Sequence, residues 1–185
     1  MLNLAKKLAD CDAKFFGGWV LAGAEAEING PAVRFENKTL LSKAHKCIIE
    51  VYGTTAFGTQ MQRLRVWLVL PQGSGKTAAG AAAAPSGSCI WSHVFTVEEV
   101  REYVAYTGDR NIIHEGSHPI VPGLCMLARL QRGLGAEKLC WRAAFVSPVH
   151  TGDELKVYVN GSGLQAFCGG RLAFYIKTDE KQVQK

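Results

Sequence analysis

The sequence predicts an α+β fold made of two similar units, each opening on helix and closing in antiparallel strands. Three observations carry this. Strand-like stretches rich in β-branched and aromatic residues gather in two runs instead of alternating with helices, the ordering of α+β domains. A Gly/Ala/Ser/Pro tract, PQGSGKTAAGAAAAPSGS at 71–88, lies between the runs. The hairpins at 46–70 and 154–177 share a strand, a short glycine-bearing turn and a long strand, so the second unit reads as a loose repeat of the first.

The totals agree with a folded, soluble chain. At 185 residues, one domain or two small fused units can each bury a core. With 48% apolar and 20% charged residues the chain lies far from disordered compositions. A net charge of +5 suits an anionic small molecule, and no Lys/Arg block exceeds two residues, so nucleic acid is not an expected partner. Six cysteines show neither a C-x-x-C pair nor histidines at ligand spacing, which argues against a metal site, and no cofactor is implied. The charged N-terminal stretch lacks the apolar core of an export signal, and no apolar run approaches the roughly 20 residues that span a bilayer. A cytoplasmic protein without a membrane segment is expected.

Taken in order, Leu4, Leu8, Cys11 and Phe15 recur at helical spacing and predict a helix over 2–15, closed by Gly17-Gly18. Strands are expected at 19–28, 32–35, 46–52 and 60–70. Residues 1–71 thus form the first unit and 72–90 a flexible linker. Gly75-Lys76-Thr77 hints at a phosphate loop, but the glycine that such a loop needs falls on Leu70. The second unit, 91–185, begins with Thr96 as N-cap and Glu99 as its capping-box partner, ahead of Val97, Val100 and Val104 on one helix face. That helix ends near Gly108. A second, mostly apolar helix starts at Pro122-Gly123 and runs to Gly135, so it should be buried. Strands follow at 141–145, 154–160 and 164–178, the last interrupted by Gly169-Gly170.

Chemistry concentrates in TGDRNIIH, residues 107–114. An imidazole such as that of His114 can exchange a proton with water and a carboxylate such as that of Asp109 can orient or accept one, so the two can hold and activate one water. Asn111 can cap the turn or fix a water. Gly-Asp and Asn are also ordinary turn residues, and spacing alone does not separate the readings. The following PIVPGLCMLARL adds a helix N-terminus at Gly123, whose unpaired N–H groups and dipole can polarise a carbonyl oxygen. Proton-transfer groups beside such a donor are the minimum set for adding water across a double bond conjugated to a carbonyl.

Three ordered motifs carry a resemblance. FTVEEVREYVAYTGDRNIIH resembles the signature of the MaoC-like, R-specific enoyl-CoA hydratases, PIVPGLCML is similar to their P-I-V-H-G-M-L, and FVSPVHTGDELKV to their F-x-x-P-V-x-x-G-D-x-L turn. The resemblance implies a hot-dog fold, an antiparallel sheet wrapped around a central helix, and a double hot-dog with a degenerate first half. It implies a lyase of fatty acid metabolism that hydrates enoyl thioesters or dehydrates (R)-3-hydroxyacyl thioesters, carried on coenzyme A or acyl carrier protein. Asp109 and His114 match its water-activating pair and Gly123 its donor to the thioester oxygen. Asn111, His118 and Pro122 fall where substrate contacts are expected. Ile112 replaces the family's proline, Pro122 its helix-leading histidine, and the segment from His114 to Pro119 is shorter than usual. Two alternatives stay open: a hot-dog acyl-CoA thioesterase, disfavoured because the 123–134 helix has no carboxylate, and a non-catalytic acyl-thioester-binding module. A homodimer is compatible with either.

The remaining polar residues have plain readings. Cys125, with no base beside it, is expected to be a packed thiol. His93 and His150 read as structural. Arg129 and Arg132 fit a coenzyme phosphate or a solvated helix edge equally, and Tyr103 and Tyr106 read as helix packing before acyl-pocket lining.

Overall fold

A computed structural model describes residues 1–11, 17–71, 85, 87–161 and 163–178. Its elements are α1 (Leu2–Leu8), β1 (Val20–Ile28), β2 (Arg34–Ser42), β3 (Lys46–Thr54), β4 (Gln60–Val69), β5 (Cys89–Val94), α2 (Val97–Thr107), α3 (Gly123–Gly133), β6 (Leu139–Phe145), β7 (Glu154–Asn160), β8 (Gly163–Cys168) and β9 (Arg171–Thr178). Among the described residues, nine strands form one sheet in the order β2-β3-β4-β1-β6-β9-β8-β7-β5. Every neighbouring pair is antiparallel.

The sheet has an apolar inner face because its strands alternate. Cys47, Ile49 and Val51 of β3, Leu64 and Val66 of β4, and Ala24, Ala26 and Ile28 of β1 are buried. Their in-between neighbours carry charge. Glu50, Arg65, Glu25 and Arg142 stand in register across β3, β4, β1 and β6. Arg65 donates to Glu50 at 2.7 Å within the first half, and Arg142 pairs with Glu25 at 2.6 Å across the line where the two halves meet. That seam is β1 against β6, with Ala24 opposite Ala143, Ala26 opposite Trp141 and Ile28 opposite Leu139.

Two helices lie on the inner face. The longer, α3, buries Leu124, Cys125, Met126, Leu127 and Leu130, which makes it the central helix. Burying a single leucine of this kind contributes roughly 1.5–3 kcal/mol. The shorter, α1, packs Leu4 and Ala5 into the same core beneath the first-half strands.

Several boundaries differ from the sequence expectation. The helix expected over 2–15 stops at Leu8, where the Asp10 and Cys11 N–H groups turn back to the carbonyls of Lys7 and Leu8 and tighten the chain. Residues 12–16 lie outside the described residues, as do 72–84 and 86 of the expected linker. Cys89 and Ile90, placed at the linker's end, belong to β5, an edge strand that the sequence did not announce. The strand expected over 32–35 is β2 and continues to Ser42. By contrast α2 has the full capping box between Thr96 and Glu99 and ends on Gly108 at φ 76°, a left-handed position that glycine adopts without strain.

Register breaks once in β1, between Leu21 and Gly23. The extra residue, Ala22, turns Leu21 to the inner face opposite Leu68, whereas an unbroken strand would aim it outward. This bulge matters to the site.

Candidate active site

Local hydrogen bonds shape the turn after α2. The Thr107 hydroxyl donates to the Tyr103 carbonyl at 2.8 Å, and the Asn111 N–H donates to Asp109 Oδ1 at 3.0 Å. Such an Asx turn is what an aspartate two residues ahead of an N–H readily forms. It leaves Oδ2 facing inward.

His114 ends a short 3-10 turn, Ile112–His114. Its Nδ1 lies 2.7 Å from the Ile120 carbonyl, and since a carbonyl only accepts, Nδ1 carries the hydrogen. The other ring nitrogen, Nε2, faces Asp109 Oδ2 at 3.6 Å, too far for a direct bond and suited to one bridging water. The imidazole is 8% exposed and the carboxylate 26%. Neither can swing freely.

The segment leading into α3 is stapled from the far side. Ile120 bridges to His150, Val121 N–H donates to the Val149 carbonyl at 2.8 Å, and Thr151 N–H donates to Pro119 at 3.1 Å. The PVHTGDEL stretch therefore positions the start of the central helix and supplies no reacting group. With Pro122 as N-cap, the Gly123 N–H belongs to the first turn, where N–H groups have no intrahelical acceptor. A Cβ on Gly123 would meet Leu21 Cδ2 at 2.8 Å and the Phe145 ring at 2.9 Å, so any larger residue there would push these side chains aside.

Asp109, His114, Asn111, Pro122 and Gly123 all line one mostly apolar cavity of about 370 Å³. Its other wall comes from the first half, through Trp19–Ala22 and Leu68–Val69, with Phe145 between. Asn111, expected to touch substrate, spends its amide on the backbone: Nδ2 donates to the Trp19 carbonyl at 2.6 Å, and Oδ1 accepts from Gly18 N–H at 3.2 Å. It ties the two halves together at the cavity. His118 is exposed and outside the lining, its carbonyl 3.2 Å from His150 Nδ1.

Sequence reasoning did not identify Leu21, Leu68 or Phe145. The bulge that turns Leu21 inward has no local signature, and no spacing rule links residue 21 to 123. Tyr103, read as packing, does both: it is buried and lines the cavity, and burial drives its phenol well above the usual 10. Cys125 is a packed thiol, pushed by burial up to about 12, so it is protonated at neutral pH. Arg129 reaches Glu99 at 2.9 Å, and the same carboxylate lies 3.0 Å from His93 Nε2. Both residues thus hold α2, α3 and β5 together.

No protein-family model matches the sequence, and no curated protein is similar to it in sequence. Solved structures are similar in shape. A MaoC-like dehydratase matches with TM-score 0.63 and 12% identity over 96% of this chain and 83% of its own. HtdX from Mycobacterium tuberculosis matches with TM-score 0.60 and 14% identity over 86% and 76%. An acyl-ACP thioesterase from Bacteroides thetaiotaomicron matches with TM-score 0.55 and 11% identity over 86% and 75%. With a sheet wrapped around a central helix and doubled across the seam, the chain is a double hot-dog protein.

Proposed function

We propose that the chain is a MaoC-like hydratase/dehydratase acting on enoyl and (R)-3-hydroxyacyl thioesters. The observation that carries this reading is the pairing of Asp109 Oδ2 and His114 Nε2 across 3.6 Å in an apolar cavity that also takes in Gly123. Water held between carboxylate and imidazole adds its oxygen to C3 of the enoyl group and delivers a proton to C2 on the same face. The Gly123 N–H donates to the thioester oxygen and stabilises the enolate-like charge that develops there. His114 is fixed in the required tautomer by the Ile120 carbonyl, so its Nε2 lone pair is the one available to the water. Dehydration is the same path reversed.

On this reading residues 1–71 are a degenerate unit that supplies a wall and no proton-transfer group, and 91–185 carry the chemistry. The fold alone is equally that of a thioesterase, in which water would attack the thioester carbon. That alternative lacks a carboxylate on α3, whose sequence is GLCMLARLQRG.

The test is to incubate the protein with a short trans-2-enoyl-CoA and follow loss of the conjugated absorbance beside release of free thiol. Hydration without thiol release is expected. Asp109→Asn and His114→Ala should each lower kcat by at least about 100-fold, the lower end for a positioned acid or base. Thiol release by the wild type, or hydration untouched by both substitutions, rejects the assignment.

A further inference from the structure

A second, smaller pocket of about 200 Å³, more open to solvent than the first, lies between α1, α2 and α3. Among the described residues, Tyr103 alone lines both it and the cavity that contains Asp109 and His114. Tyr103 is 8% exposed and sits mid-helix in α2, with its carbonyl engaged by Thr107.

The two chambers differ. The first is near the lower end of the roughly 300–1,000 Å³ typical of small-molecule sites. The second has an apolar inner part, with Phe95 1% and Cys125 8% exposed, and a charged rim where Glu99 pairs with Arg129. An apolar chain would continue into that inner part if the partition were absent.

We infer that Tyr103 is a specificity-determining residue, the wall between the two pockets that sets how long an acyl group the first one accepts. This rests on reading the cavity as an acyl site. The ring suits the place because its body is apolar and its hydroxyl tolerates the polar side.

The experiment measures, by calorimetry, binding of saturated acyl-CoAs from butanoyl to dodecanoyl, which have no double bond to hydrate. Each methylene that enters an apolar cavity should tighten binding about fourfold. The wild type should gain along the first members of the series and then stop. Tyr103→Ala should keep gaining to longer chains at a similar factor per methylene, and Tyr103→Phe, which keeps the ring, should stop where the wild type stops. Tyr103→Leu repeats the test should the alanine variant not fold. Identical stopping points in wild type, alanine and leucine variants overturn the inference, as does failure of any acyl-CoA to bind the wild type. A stopping point that moves in a protein without hydration activity supports the wall and sinks the hydratase reading alone.

Discussion

Gly123 is glycine for a steric reason before any catalytic one. A methyl group there would lie 2.8 Å from Leu21 and 2.9 Å from Phe145, closer than side chains pack. Ordinarily, replacing glycine by alanine in a helix gains up to about 1 kcal/mol. Overpacking costs about 1–3 kcal/mol, so the clash should win and Gly123→Ala should be less stable in urea unfolding. Adding Leu21→Ala to it should restore more stability than Leu21→Ala would predict alone, because the two sites touch. The polar cluster below this contact was legible in the sequence: Asp109, Asn111 and His114 fall within six residues, and an Asx turn is a local event. Leu21 and Phe145 were not, since their meeting with Gly123 depends on a bulge and on strands paired far apart in sequence.

Among the elements, α2 was the most readable, because a capping box and a C-terminal glycine are written within the helix itself. β2 and β5 were the least. Both are edge strands, and RFENKTLLS in β2 has no fully buried residue and only Phe35, Asn37 and Leu41 half-buried, so it lacks the apolar/polar alternation by which strands are recognised. Glu99 links these elements: it caps α2 through the Thr96 N–H and reaches His93 of β5 and Arg129 of α3. Burial by itself would raise its carboxyl, but the Thr96 N–H, His93 and Arg129 outweigh that and hold it below the usual 4.5. A carboxyl lowered by folding stabilises the protein fully above its unfolded value, and this contribution fades as pH falls through the lowered one. Glu99→Gln should therefore lower stability at pH 7 by up to about 1 kcal/mol, read as a fall of about 2–4 °C in Tm. The difference from wild type should shrink steadily below pH 4.5 in melts taken down to pH 3. A gap that stays constant across that range would mean that the carboxylate's charge is irrelevant.

At the scale of the whole molecule, the two halves are joined by the β1–β6 ladder, by the Arg142–Glu25 ion pair on its outer face and by Asn111 on its inner side. Asn111 donates to Trp19 and accepts from Gly18 from a position 8% exposed. Asn111→Ala removes both bonds, at a cost of about 1–3 kcal/mol in chemical unfolding, and should weaken acyl-CoA binding because the cavity wall at Trp19 loses its tether. An alanine variant with unchanged stability and binding would show that the seam holds without it. The hairpin repeat expected between 46–70 and 154–177 does not hold as drawn: the strand expected over 164–178 folds back at Gly169-Gly170 into β8 and β9, and the β1–β6 pairing was not legible because the two strands are far apart along the chain.

The bulge at Ala22 and the seam together place both sides of the cavity that holds Asp109 and His114 on a single polypeptide. Its assembly is then an intramolecular event, indifferent to protein concentration, and dilution that would separate associating copies leaves each chamber whole. A ligand that fills it fastens one half to the other, so it should raise the melting temperature of the entire sheet.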